Sequence, residues 1–333
     1  MTRRKDNTMG FSTKTQELID RLYEGREHVQ LTVGTLKNGR IECVHYDEKQ
    51  NVSDEKLIYP VGSICKTFTA SLLAKHIKNG SVDLKASLSE YIKGLPSGYY
   101  PTVERLLTHH SGYGIAPFNL LQMLEKLMHM NRENGLLHVN PFRGYPVESD
   151  MMKTLSNERL KDRDYKFEYS NFAFGVLGYI AGLVEGTDFF TAMENYVAEL
   201  GLEDTSLKNS DMTGYDKKGN ACKPWQWENV DIIAPAGALL SSMEDLLKFA
   251  KLNLDGLHPY LDICHKKYAD GDKNFDQGLA WRVKKDSQIS YHVGNAGAFT
   301  CVLAIDRAVG NAVAIGLNYA LVDVEELAFS MLA

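Results

Sequence analysis

Three things are missing from this sequence, and each absence removes a class of function. No stretch approaches the roughly twenty consecutive apolar residues that a membrane-spanning helix requires. There is no long basic run and the net charge is -6, so the basic surface that nucleic-acid phosphates call for is absent. Neither C-x-x-C nor H-E-x-x-H occurs, so no local metal site is visible and no cofactor is called for. Cysteine is also sparse. Cys43, Cys65, Cys222, Cys264 and Cys301 are odd in number and lack paired spacing, which reads as reduced thiols rather than a disulfide framework. The N-terminus, M-T-R-R-K-D-N-T-M-G-F-S, has the charges of a signal peptide without its apolar core. A cytoplasmic location is the expectation. What remains is ordinary globular material: 333 residues, 44% apolar and 24% charged, enough for one large domain or two coupled ones.

The chain is organised around Ile58 to Gly80, I-Y-P-V-G-S-I-C-K-T-F-T-A-S-L-L-A-K-H-I-K-N-G. It opens as a short apolar run and continues as a helix. Phe68 and Leu72, then Leu73 and Ile77, are apolar pairs four apart, the stripe of a buried helix. Asn79-Gly80 is a left-handed stop. Ser63 falls where the helix begins and Lys66 one turn along on the same face. A serine hydroxyl is inert until a neighbouring base takes its proton, and a desolvated lysine can be that base. A helix cap followed by a surface lysine would give the same letters. A second S-x-x-K, Ser53 to Lys56, lies in a polar stretch and reads as a solvated loop.

Around this stretch the pattern predicts an α+β fold. Residues 1–10 read as loose, and Thr13 to Arg26 as a helix. Val29 to Gly34 and Ile41 to Tyr46 are strands joined across Lys37-Asn38-Gly39, a hairpin signal. Leu57 to Val61 is a third strand. From Ser81 onward the texture turns helical, with helices over Val103 to Thr108, Leu120 to Asn134, Asn171 to Glu185 and Phe189 to Leu200. Strands return late, at Leu279 to Lys284, Ser290 to Val293, Ala298 to Asp306 and Ala312 to Asn318, after a helix over Ser242 to Leu252 and before one over Val322 to Leu332. The expectation is one antiparallel sheet built from both chain ends and flanked by helices, residues 11–80 and 235–333, with an all-helical domain, residues 81–234, inserted between them.

Two further elements carry candidate chemistry. Tyr169-Ser170-Asn171 opens a helix; a phenol near an ammonium can serve as base or acid, and an amide can orient both lysine and substrate. His292-Val293-Gly294-Asn295 is a strand running into a glycine-rich turn, where Gly294 permits close approach and the Asn295 N–H can stabilise an oxyanion. His110-Ser111-Gly112 has the same H-x-G letters but follows a helix, so it reads as a structural loop.

These elements in this order resemble the serine β-lactamase and penicillin-recognising superfamily, most of all its class C branch with its D-peptidases, D-aminopeptidases and esterases. Ser63-Ile-Cys-Lys66 matches S-x-x-K, Tyr169-Ser-Asn171 matches Y-x-N, and His292-Val-Gly294 stands at the K-T-G position. L-L-T-H-H-S-G at 106–112 and A-P-A-G-A-L-L-S-S-M-E-D-L at 234–246 also resemble that branch. The resemblance implies a β-lactamase/transpeptidase-like fold and a small-molecule or peptide substrate. Ser63 would be the nucleophile, with Lys66 and Tyr169 sharing the proton. Asn171 would position Lys66 and substrate, and the Ser63 and Asn295 N–H groups would form the oxyanion hole. His292 and Val293 depart from the lysine and threonine that help hold a substrate carboxylate, which favours an esterase or an unusual peptidase. They also leave open a penicillin-binding or sensor protein that acylates but turns over poorly. Cys65 reads as a small core residue. Oligomeric state is not legible.

Overall fold

The computed structural model describes residues 10–53, 55–116, 137–144 and 147–332. The expected helix over Leu120 to Asn134, and all but the last of residues 1–10, lie outside these. The α+β expectation holds. Nine strands form one antiparallel sheet in the order β3-β2-β1-β13-β12-β11-β10-β9-β8. The N-terminal part supplies β1 (Leu31–Lys37), β2 (Arg40–Tyr46) and β3 (Val52–Ser53). The C-terminal part supplies β8 (Ala269–Asp270), β9 (Phe275–Gln277), β10 (Arg282–Lys284), β11 (Ile289–Ala296), β12 (Phe299–Asp306) and β13 (Asn311–Leu317). The two ends meet where β1 pairs with β13, Leu31 opposite Leu317. The β1–β2 hairpin turns on Asn38 and Gly39, both at positive φ, as a two-residue turn between twisted strands requires.

Both faces of the sheet are covered, and the strand alternation sorts residues between them. Val302 and Ala304 of β12 face α1 (Thr13–Tyr23) and the C-terminal helix Glu325–Leu332. Cys301, Leu303 and Ile305 face the larger core with α2 (Cys65–Asn79) and the helices behind it. Gly80 ends α2 at φ +83. Beyond it come α3 (Leu88–Tyr91), α4 (Val103–Leu107), α5 (Glu148–Asn157), α6 (Asn171–Glu185) and α7 (Phe189–Glu199). The stretch expected to be wholly helical also carries one short hairpin, β5 (Gly214–Tyr215) with β6 (Ala221–Cys222). Two-residue strands are too short to show a period of two. The strand expected at Leu57 to Val61 shortens to β4 (Ile58–Pro60). It pairs with β7 (Leu240–Ser242), outside the main sheet. From β7 the chain enters α8 (Met243–Leu252), capped by Ser242, whose hydroxyl accepts the Asp245 N–H. Among the described residues no single helix is long and apolar enough to cross a membrane.

Candidate active site

The nucleophile candidate stands on a tight turn. Gly62–Ile64 forms one turn of 3-10 helix immediately before α2. Gly62 has φ +51, and a Cβ there would lie 2.7 Å from backbone atoms of Asn295. The same constraint runs in the other direction: a Cβ on Gly294 would lie 1.9 Å from the Val61 carbonyl oxygen. Two glycines therefore let the backbone of 61–64 and that of 294–295 touch. The sheet leaves room for this contact. β10 pairs with β11 only as far as Tyr291, and from His292 onward that edge of β11 faces the Ser63 turn. β11 continues through Gly294, which the sequence pattern assigned to a turn; the reversal comes at Gly297, φ +56.

Ser63, placed by the sequence pattern at the start of the helix, lies in this turn, which no side chain caps. Its hydroxyl faces Lys66 instead. Lys66 is fully buried. Its Nζ donates to Ser63 Oγ at 3.0 Å and to the Ala236 carbonyl at 2.7 Å. Neither partner is a carboxylate. The ammonium also lies over the Tyr169 ring, 4.8 Å from its centroid, and 5.7 Å from that of Phe174. The Ala236 carbonyl reaches Lys66 because α6 has glycines where the preceding segment crosses it. A Cβ on Gly175 would lie 2.5 Å from the Ile232 carbonyl, and one on Gly178 2.1 Å from Pro235 Cγ.

Tyr169 stands just before α6, whose cap is Ser170: its hydroxyl accepts the Ala173 N–H at 2.9 Å and donates to the Gly114 carbonyl at 2.7 Å. The contact between Tyr169 and Lys66 is ammonium over ring, not a hydrogen bond to the phenol. The His292 ring lies 6.5 Å from that of Tyr169. Asn171, expected to orient Lys66, does not bond to it. The Ala236 carbonyl holds the lysine, and Asn171 Oδ1 is buried without a partner among the described residues.

The His292 ring is buried, and Nδ1–H donates to the Val293 carbonyl at 2.8 Å. Burial first, then Arg282 and Lys66, hold its pKa well below the ordinary 6.5. It is a neutral imidazole at neutral pH, not a charge that switches there. The Cys65 thiol is buried and pushed up to about 11, chiefly by desolvation, so it is no competing thiolate. The second S-x-x-K leads elsewhere: Lys56 pairs with Asp204 at 2.6 Å.

Two contributors were not found from sequence. Ala236 acts through its carbonyl, which no side chain advertises. His109 adjoins the H-x-G decoy. His110 does stay in a loop, bonded to the Thr108 carbonyl at 2.7 Å, but the His109 ring packs 4.5 Å from the Tyr169 ring.

The sequence matches the profile of the family described as Beta-lactamase over residues 16–329. The chain belongs to the beta-lactamase family. Among curated relatives, it is 25% identical to a beta-lactamase of Pseudomonas fluorescens over 284 residues, 80% of this chain and 72% of that protein. It is 26% identical to a beta-lactamase of Providencia stuartii over 259 residues, 73% of this chain and 60% of that one. Its fold is that of a beta-lactamase/D-alanine carboxypeptidase from Pseudomonas syringae, with a TM-score of 0.76 at 19% identity, covering 96% of this chain and 97% of that one. Within this family frame, Ser63, Lys66, Tyr169, His292, Gly294 and Asn295 converge on one locus, with Asn171 two residues beyond Tyr169.

Proposed function

We propose that this chain is a serine hydrolase that acts through an acyl-enzyme on an uncharged ester or amide. Family and fold support acylation chemistry of the serine hydrolase type. The observation that carries the reading is the 3.0 Å hydrogen bond between Ser63 Oγ and Lys66 Nζ, made by a fully buried lysine with no carboxylate partner among the described residues. Deprotonated, that amine accepts the Ser63 proton as Oγ attacks the substrate carbonyl carbon. Tyr169, packed on the same amine, shares the proton traffic and delivers a proton to the leaving group. The Ser63 and Asn295 N–H groups, on backbones brought together by Gly62 and Gly294, receive the oxyanion. Asn171 Oδ1, buried and unpartnered among the described residues, is an acceptor for a substrate N–H. Water then releases the acyl group from Ser63.

The strand opposite Ser63 supports an uncharged acyl group. A substrate carboxylate is held best by a cation or a hydroxyl. His292 is neutral and its Nδ1 proton is spent on the Val293 carbonyl, while the Val293 side chain offers no donor. An acyl group without a carboxylate at this position therefore fits better than a penicillin.

A fluorophosphonate probe should phosphonylate wild-type Ser63 with loss of fluoride, seen as a mass adduct on its peptide, and leave Ser63→Ala unlabelled. No adduct on folded wild-type protein would remove the nucleophile. Turnover should then rank p-nitrophenyl acetate above D-alanyl p-nitroanilide and nitrocefin; nitrocefin hydrolysed fastest would overturn the substrate class. A single burst on every ester, without turnover, would favour a penicillin-binding or sensor role.

A further inference from the structure

We infer that His109 is the positioning residue for Tyr169: it accepts the backbone N–H of the residue on each side of that tyrosine and packs its ring against the phenol ring. The inference rests on the nucleophile reading above, because it gives Tyr169 a part in proton transfer. The Glu168 N–H donates to the His109 carbonyl at 2.9 Å. The Ser170 N–H donates to His109 Nδ1 at 3.1 Å. Tyr169 lies between these two bonds, and one residue accepts both. The rings are 4.5 Å apart and tilted by 31°. One residue, through its carbonyl and its ring, thus fixes the backbone that bears Tyr169 and the plane of its ring over Lys66.

The bonding also fixes the state of the imidazole. A backbone N–H can only donate, so Nδ1 presents its lone pair and the proton is on Nε2. Nε2 is buried and has no partner among the described residues. Protonating Nδ1 would break the Ser170 bond. The surroundings oppose that. Burial first, then Lys66 on α2, His292 on β11, Arg282 on β10 and the adjacent His110 disfavour the cation. His109 holds its place at a cost, since it is a non-glycine residue at φ +61. Such a conformation persists only where the surroundings enforce it, and asparagine tolerates it better than most residues.

The test uses the full chain and two substitutions. His109→Phe keeps an aromatic ring and removes the acceptor. His109→Asn loses the ring, keeps an acceptor near the Nδ1 position and suits the left-handed backbone. The second-order rate of fluorophosphonate labelling at Ser63 should fall roughly 10- to 100-fold in His109→Phe and return to within about threefold of wild type in His109→Asn. The pH dependence of labelling in His109→Asn should keep the wild-type shape. Labelling of His109→Phe at the wild-type rate, or equal losses in both variants, would overturn the inference. If either variant fails to fold, nitrogen NMR of wild-type His109 decides: a neutral ring protonated on Nε2 at pH 7 supports the inference, and an Nδ1–H tautomer or an imidazolium ends it. Wild-type protein that takes no label removes the Ser63 reading itself, a result distinct from either of these.

Discussion

At the scale of single residues, Lys66 poses the sharpest energetic question. A fully buried ammonium costs several kcal/mol to desolvate, and neutral oxygens and ring faces return only part of that. Its retention is therefore an argument for chemistry rather than stability. Lys66→Met keeps an unbranched side chain one atom shorter and removes the charge. We expect its melting temperature to equal or exceed that of wild type, while labelling at Ser63 falls roughly 1000-fold or more. Thermal melts alongside probe kinetics check both halves. A melt lowered by more than about 5 °C would make the lysine a structural residue. The Ser63–Lys66 pairing was legible in sequence because one helical turn converts a spacing of three into contact. The lysine's second partner was not, because a carbonyl has no letter of its own. His109 was hidden for a related reason. Its role lies in two backbone bonds and a ring contact some sixty residues along the chain, and no local period marks such a contact.

At the scale of elements, the decisive juxtaposition is β11 against the Gly62–Ile64 turn. Adding one methyl group there should separate them. Gly294→Ala places a Cβ 1.9 Å from the Val61 carbonyl, and backbone cannot step aside as a flexible side chain would. We expect a stability loss of about 1–3 kcal/mol by urea unfolding, with labelling at Ser63 slowed roughly 100-fold. Gly98→Ala is the control, since nothing lies within 4 Å of the added atom. Equal behaviour of the two variants would mean that the contact does not shape the site. The long elements were readable: α6 spans the residues its apolar pattern predicted, and Asn38-Gly39 announced the first hairpin. The extension of β11 was not, because glycine carries no side chain to continue the alternation. Nor were the strands of two or three residues, whose pairing is decided by the sheet and not by their own composition.

For the whole molecule, burial of histidine makes stability depend on pH. His109, His265 and His292 are all held well below the ordinary value of 6.5, and in each the first cause is desolvation. The direction follows from proton counting. A depressed histidine pKa means that the unfolded chain binds the proton first as pH falls, so stability is full above the unfolded value and is lost below it. The window is therefore below about 6.5. Three such groups act in the same direction, so the unfolding free energy is lower at pH 5.5 than at pH 7.5. Carboxyls raised by burial, Glu158 and Asp231 among them, act in the opposite sense, but at lower pH, where carboxylates begin to protonate. Urea unfolding followed by tryptophan fluorescence at pH 5.5, 6.5 and 7.5 measures the slope. His265 provides the internal check. It is bonded to Asn253 Oδ1 at 2.8 Å and its ring packs at a tilt of 37° against Trp281, apart from the residues around Ser63. His265→Gln should remove about a third of the pH dependence and leave Ser63 labelling unchanged; a profile flat between pH 5.5 and 7.5 in wild-type protein would show that these rings take up their protons without unfolding the chain.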